Sequence, residues 1–167
     1  MVPSDALIVL DTNILVAWLR GNALGNYIRK KYELDIRVSP AVAIVTVGEI
    51  YALAKKLAWG HKKEAELAQL LSRLVVIDIN HEDVIQRYAE IDYYFHSLKP
   101  ARSVGKNDIW IAAVASVAKA YLLTTDKDCL PLDPKFLSVE WVDETAVLAA
   151  TKNPQTDLFS TPEISFD

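Results

Sequence analysis

Short, wholly apolar runs alternate along this chain with longer stretches whose apolar residues recur every three or four positions. Residues 7–10 (LIVL) form the first run and stop at Asp11. Unbroken hydrophobicity over so few residues predicts a strand buried on both faces, as in a parallel sheet. Over residues 14–20, Leu15, Trp18 and Leu19 fall at i, i+3 and i+4, the stripe of a helix. Gly21-Asn22 then supplies helix-ending residue types. A second short helix is expected over 24–32. Residues 38–40 (VSP) break the pattern, and 42–47 form the next strand-like run. Thr46 opens a helix expected over 47–58, closed by Trp59-Gly60. Leu67, Leu70, Leu71 and Leu74 mark another over 61–74, and residues 75–79 (VVIDI) read as a third strand. Asn80, with Asp83 three residues on, predicts the start of a helix carrying Val84, Ile85, Tyr88, Ile91, Tyr94 and Phe95 on one side.

The most informative stretch is 103–128, SVGKNDIWIAAVASVAKAYLLTTDKD. A loop with Gly105 runs to Asn107-Asp108, where a helix begins that is apolar nearly all round: Ile109, Trp110, Ile111, Val114, Val117. Such a helix is central and buried. It feeds a run at 121–123 that stops at Thr124-Thr125-Asp126, and a last strand is expected over 139–142. Strands alternating with helices predict a parallel α/β sandwich with right-handed crossovers. One domain over residues 1–145 is expected. The remainder, 146–167, reads as a tail that is mobile or docks on a partner, its pattern fading from Thr151 onward.

Composition changes this picture little. At 167 residues, 51% apolar and 24% charged, the chain is that of an ordinary soluble domain. No apolar run is long enough to span a bilayer. The N-terminus has neither a basic region nor a small-residue cleavage site, so no secretory signal is expected. Cys129 is the single cysteine, which excludes an internal disulfide and a cysteine-built metal site and fits a reducing cytoplasm. The net charge of -4 argues against a generic nucleic-acid coat protein. It does not exclude a nuclease: removing four acids at a metal site would leave the rest neutral.

Four acids stand at strand–helix junctions, and each has two readings. Asp11 ends a buried strand, where open α/β sheets bind ligands, or it caps the next helix. Glu49 lies near the start of the second long helix, or it completes the capping box Thr46-Val47-Gly48-Glu49. Asp108 opens the buried helix, or it serves the helix dipole beside an Asn107 cap. Asp126 follows the next strand as Asp11 follows the first, while an Asp-rich turn with Asp128 is also commonplace. Taken together they make one case. Carboxylates gathered in a crevice raise one another's pKa and destabilise the fold unless a cation neutralises them. Mg²⁺ or Mn²⁺, which take oxygen ligands, suit such a set and support phosphodiester hydrolysis. His61, His81 and His96 lack ligand spacing, so no zinc site is expected.

LIVLDTNILVAWL, VTVGEIYALAKK, GKNDIWIAAVA and LLTTDKD, in that order, resemble the PIN domain, the nuclease fold of the VapC-type toxins of toxin–antitoxin pairs. The resemblance covers about residues 7–142. It implies a three-layer α/β/α fold with a small, mostly parallel sheet. It implies an endoribonuclease dependent on Mg²⁺ or Mn²⁺, a homodimer, an RNA substrate and a cognate antitoxin. Carried over residue by residue, Asp11, Glu49, Asp108 and Asp126 are metal ligands and Asp128 is auxiliary. Thr12, Asn13, Asn107 and Thr125 orient ligands or the attacking water. Lys106 and Lys127, beside the acids, are candidate phosphate contacts. The chain departs from the family pattern at Cys129, where a larger apolar residue is frequent, and in its length beyond the last strand.

Two rival readings stay open. An aspartyl-phosphate enzyme would use Asp11 as nucleophile, but Asp11-Thr12-Asn13 lacks the second acid of D-x-D. A catalytically weak module would bind RNA or an antitoxin without cutting.

Overall fold

A computed structural model describes residues 2–36 and 40–152. Five strands, β1 (Ile8–Leu10), β2 (Ala41–Ala43), β3 (Val75–Ile77), β4 (Tyr121–Thr124) and β5 (Ser138–Trp141), form one sheet in the order β3-β2-β1-β4-β5. Every pairing is parallel, with Leu10 opposite Leu123 and Ala43 opposite Ile77. The sheet is therefore wholly parallel, as continuous apolar runs require.

The helices are α1 (Thr12–Arg20), α2 (Ala23–Lys31), α3 (Ile44–Lys56), α4 (His61–Leu71), α5 (Glu82–Ser97), α6 (Lys106–Val117) and α7 (Glu144–Lys152), with a 3₁₀ segment over Lys127–Leu132. Alternation along the strands divides the core in two. Ile8, Leu10, Val42 and Leu123 pack with Ile14, Leu15, Ile28 and Leu67 of α1, α2 and α4. Val9, Ala41, Ala43 and Leu122 face the other way, onto Ile91 and Phe95 of α5 and Ile109 to Ala115 of α6. Each large aliphatic side chain buried this way contributes about 1.5–3 kcal/mol. The result is the expected three-layer sandwich.

α6 is the buried strut expected: Ile109 and every residue from Ile111 to Ser116 are buried. Small residues let helices close up elsewhere. A Cβ at Gly25 would overlap the carbonyl oxygen of Ala17, so α2 approaches the backbone of α1 directly.

Several boundaries differ from the sequence reading. α3 begins at Ile44, directly after β2, with Ala43 at its N-cap and no side-chain cap. Thr46 therefore lies inside the helix and caps nothing. α5 is capped by His81, whose Nδ1 accepts the Asp83 N–H at 3.3 Å; Asn80 instead donates its N–H to Asp78 Oδ1 at 2.9 Å. α6 begins at Lys106 with Gly105 at the cap, which places Asn107 in the first turn. β3 stops at Ile77, two residues early; as an edge strand it leaves Val75 and Val76 exposed. α7 runs to Lys152, into the stretch read as a tail, and packs on α2. Residues 38 and 39 of the expected break, and the tail from 153 onward, lie outside the described residues. None of the described helices is long and apolar enough to cross a membrane.

Candidate active site

From β1 the chain moves outward to β2 and β3, then returns to the other side of β1 for β4 and β5. The carboxyl ends of β1 and β4 thus flank the point where the winding reverses, the place where open α/β sheets expose a crevice. Asp11 is the first residue after β1, and its N–H continues the ladder to the Leu123 carbonyl at 3.0 Å. Asp126 follows β4 by one residue.

Asp11 is buried and both its oxygens are engaged. Oδ1 accepts the Thr12 N–H at 2.6 Å, which caps α1, and Oδ2 accepts the Thr124 hydroxyl at 2.6 Å. The cap and the site are thus the same carboxylate. Thr124 Oγ1 in turn accepts the Asp126 N–H at 2.9 Å, and Asp126 Oδ1 accepts the Asp128 N–H at 2.8 Å. One chain of hydrogen bonds links the loop after β4 to the loop after β1.

Glu49 settles between its two readings. It sits in the second turn of α3 and bonds no backbone amide there. Its Oε2 accepts the Thr12 hydroxyl and its Oε1 accepts Asn107 Nδ2 at 2.8 Å. Residues from α1 and α6 therefore hold the α3 carboxylate, and the capping-box reading is overturned because the helix starts earlier. Asp108 lies in the first turn of α6, folded back over Gly105; a Cβ at 105 would overlap its Oδ2.

Burial raises the pKa of Asp11, against the pull of the Thr124 and Thr12 hydrogen bonds, and the charges of Asp126 and Glu49 raise it further. Asp108 is pushed up to about 6, first by burial and then by Asp11, Asp126, Glu49 and Asp128. Five carboxylates therefore share one electrostatic neighbourhood. Among the described residues none of the five has a lysine, arginine or histidine as ion-pair partner. The thiol of Cys129 is buried and pushed up in pKa, first by burial and then by Asp11, Asp126, Asp108 and Asp128, so it stays protonated.

Among the described residues, no three Asp, Glu, His or Cys side chains are gathered closely enough to ligate one ion as they stand. Like charges hold apart. The donor set nevertheless fits a hard cation: carboxylates, hydroxyls and a carboxamide, without histidine or thiolate. An ion of this class keeps several of its own waters and so does not require a closed protein shell.

The other candidates make contacts of their own. Asn13 and Thr125 line a cavity of about 240 Å³ with Arg20, Asn22 and Glu144. The Thr125 carbonyl accepts Trp141 Nε1–H at 3.1 Å. Lys106 Nζ is bonded to Asp92 Oδ1 at 2.6 Å, and Lys127 Nζ lies 4.9 Å from the centre of the Trp141 ring. Sequence reasoning missed Thr124. The parallel register that sets β4 beside β1 puts it, and not Thr125, against Asp11; a polar residue closing an apolar strand was the available signal.

The sequence matches the PIN domain family over residues 8–133. The chain belongs to the PIN domain family. Solved structures with the same fold include VapBC2 from Rickettsia felis bound to a DNA fragment from their promoter. That match has 23% identity and a TM-score of 0.68, and covers 82% of this chain and 99% of that one. VapBC-1 from nontypeable Haemophilus influenzae matches at 21% identity and a TM-score of 0.64, covering 81% and 97%. DNA-bound VapBC from Salmonella typhimurium matches at 21% and 0.61, also covering 81% and 97%. No curated protein matches by sequence. In this PIN domain, then, the acids of all four matched segments share one electrostatic neighbourhood.

Proposed function

We propose that this PIN domain is a metal-dependent endoribonuclease and the toxin of a toxin–antitoxin pair. The observation that carries the reading is the set of carboxylates at the sheet's switch point, with no lysine, arginine or histidine ion-paired to them among the described residues. Burying such a set costs stability, and a divalent cation offsets that cost. Asp11, Glu49, Asp108 and Asp126 would hold Mg²⁺ or Mn²⁺, with Asp128 auxiliary. When bound, the ion supplies Lewis-acid chemistry suited to phosphodiester hydrolysis.

The chain's own residues do the positioning. Thr124 and the Thr12 amide fix both oxygens of Asp11. Thr12 and Asn107 fix both oxygens of Glu49. Asp108 sits partly buried among the other carboxylates, which with burial push its carboxyl up to about 6 in the absence of a cation. Nothing favours a phospho-aspartate at Asp11, which has no lysine partner among the described residues.

The toxin role and an antitoxin partner are supported by similar structures that include VapBC-5 from Mycobacterium tuberculosis, a member of the VapBC family of toxin–antitoxin systems; a homodimer is proposed on the family resemblance. Purified protein is expected to cleave single-stranded RNA with Mg²⁺ or Mn²⁺, and to lose cleavage with chelator. Asp11→Asn and Asp108→Asn should each reduce it to background. Full activity in both variants would refute the site assignment.

A further inference from the structure

Beside the first turn of α6 lies a second feature, on the side away from Glu49. A cavity of about 350 Å³ opens there, lined by Asp92, Phe95, His96, Arg102, Lys106 and Ile109 among others. Phe95 and Ile109, both buried, belong to its apolar wall. Lys106 and Ile109 are three residues apart and share a helix side, whereas Asn107 between them reaches Glu49. The cavity and the acids thus use different sides of the same first turn of α6.

The charges in the cavity do not cancel. Asp92 is taken by Lys106 at 2.6 Å. Arg102 is exposed and has no carboxylate partner among the described residues. Its backbone N–H donates to the Phe95 carbonyl at 3.1 Å, which ties this part of the loop to α5. An unpaired guanidinium is therefore presented over an apolar wall, across the first turn of α6 from a strongly acidic site. Its planar fork of donors matches phosphate.

A free anion gains little here, because the neighbouring carboxylates repel it. A phosphate that arrives as part of a strand already engaged at the acids does not face that cost alone. We infer that this cavity receives a phosphodiester of single-stranded RNA next to the one that is cut, with Arg102 as its main contact. The inference rests on the nuclease reading and adds where the strand runs: across the first turn of α6, toward α5. Arg102 is a substrate-positioning residue. Phosphate contacts carry no base information, so its effect is the same for different RNA sequences.

Two measurements test this. The first is the salt dependence of binding of a fluorescent single-stranded oligoribonucleotide to full-length Asp108→Asn protein with Mg²⁺ held constant, where the substitution keeps cutting at background. Losing one phosphate contact flattens the slope of log K against log salt by about 0.7 for a single strand. Arg102→Ala should show that change, Arg102→Lys should largely restore it, and Lys62→Ala on the distant α4 should leave it unchanged. The second is cleavage kinetics with the acids intact. Arg102→Ala should raise KM about five- to tenfold with kcat nearly unchanged, equally for two RNAs of different sequence. An unchanged slope and KM, or no RNA binding by the parent protein, would overturn the assignment of this cavity. Absence of cleavage in the wild type would instead refute the nuclease reading, and the binding slope would still decide Arg102.

Discussion

Asp108→Asn separates stability from chemistry. In the metal-free protein, burial and four neighbouring carboxylates move Asp108 from an ordinary 3.8 to about 6. At about 1.36 kcal/mol per pH unit, that difference is worth about 3 kcal/mol. Asp108 is only partly buried, and solvent screens its neighbours, so about 1–2 kcal/mol is the realistic share. The sign follows from proton counting. Between pH 3.8 and about 6 the folded state holds a proton that the unfolded chain has released. Stability therefore falls as pH rises through this window, and the penalty is complete above it. Asparagine cannot ionise, so it removes the penalty. Urea denaturation in chelator at pH 5 and 7.5 measures the effect. Asp108→Asn should be more stable than wild type at pH 7.5 by about 1–2 kcal/mol, with a smaller gain at pH 5. Added Mg²⁺ or Mn²⁺ should stabilise the wild type more than the variant. A variant equal to or weaker than wild type at pH 7.5, in chelator, would refute the account of Asp108 as a repelled carboxylate.

Two further substitutions probe the frame around the acids. Thr124→Val keeps the shape but removes the hydroxyl that bonds Asp11 Oδ2, leaving a buried carboxylate short of a donor. Losing a hydrogen bond to a charged group should cost about 1.5–3 kcal/mol by urea denaturation, and RNA cleavage should fall with it; no change in either would remove Thr124 from the site. Gly25→Ala drives a Cβ into the Ala17 carbonyl and should cost about 1–3 kcal/mol, seen as a fall in Tm of several degrees. Because Gly25 is remote from the acids, metal dependence should be unaltered at temperatures where the variant is folded.

The architecture was legible because its signal is strong. LIVL and YLL are uninterrupted apolar runs, and the helix behind Asp108 is apolar all round, so a parallel sheet with a buried strut was the only economical packing. Asp11, Asp108 and Asp126 stood out by position, since each follows a strand or opens a helix, whereas Glu49 lies in the second turn of α3. Helix starts were not, because capping rules compete with packing. Thr46 looks like a cap but is drawn inside α3 by direct continuation from β2, and Asn107 yields the cap to Gly105 so that its amide can reach Glu49. Thr124 and the Lys106–Asp92 pair depend on sheet register and on which way a helix faces. Those are tertiary facts that local sequence does not encode.

The pairing of β1 with β4 has a consequence for when the site comes into being. Thr124 reaches Asp11 across 113 residues of chain, and β4 alone brings Asp126 alongside. No shorter N-terminal fragment contains the site. At about 5–20 residues per second, a ribosome makes Thr124 on the order of 6–20 s after Asp11. Contacts of such sequence separation also form late in folding. In a nascent chain the acids after β1 and β4 therefore come together only once β4 is free to dock beside β1.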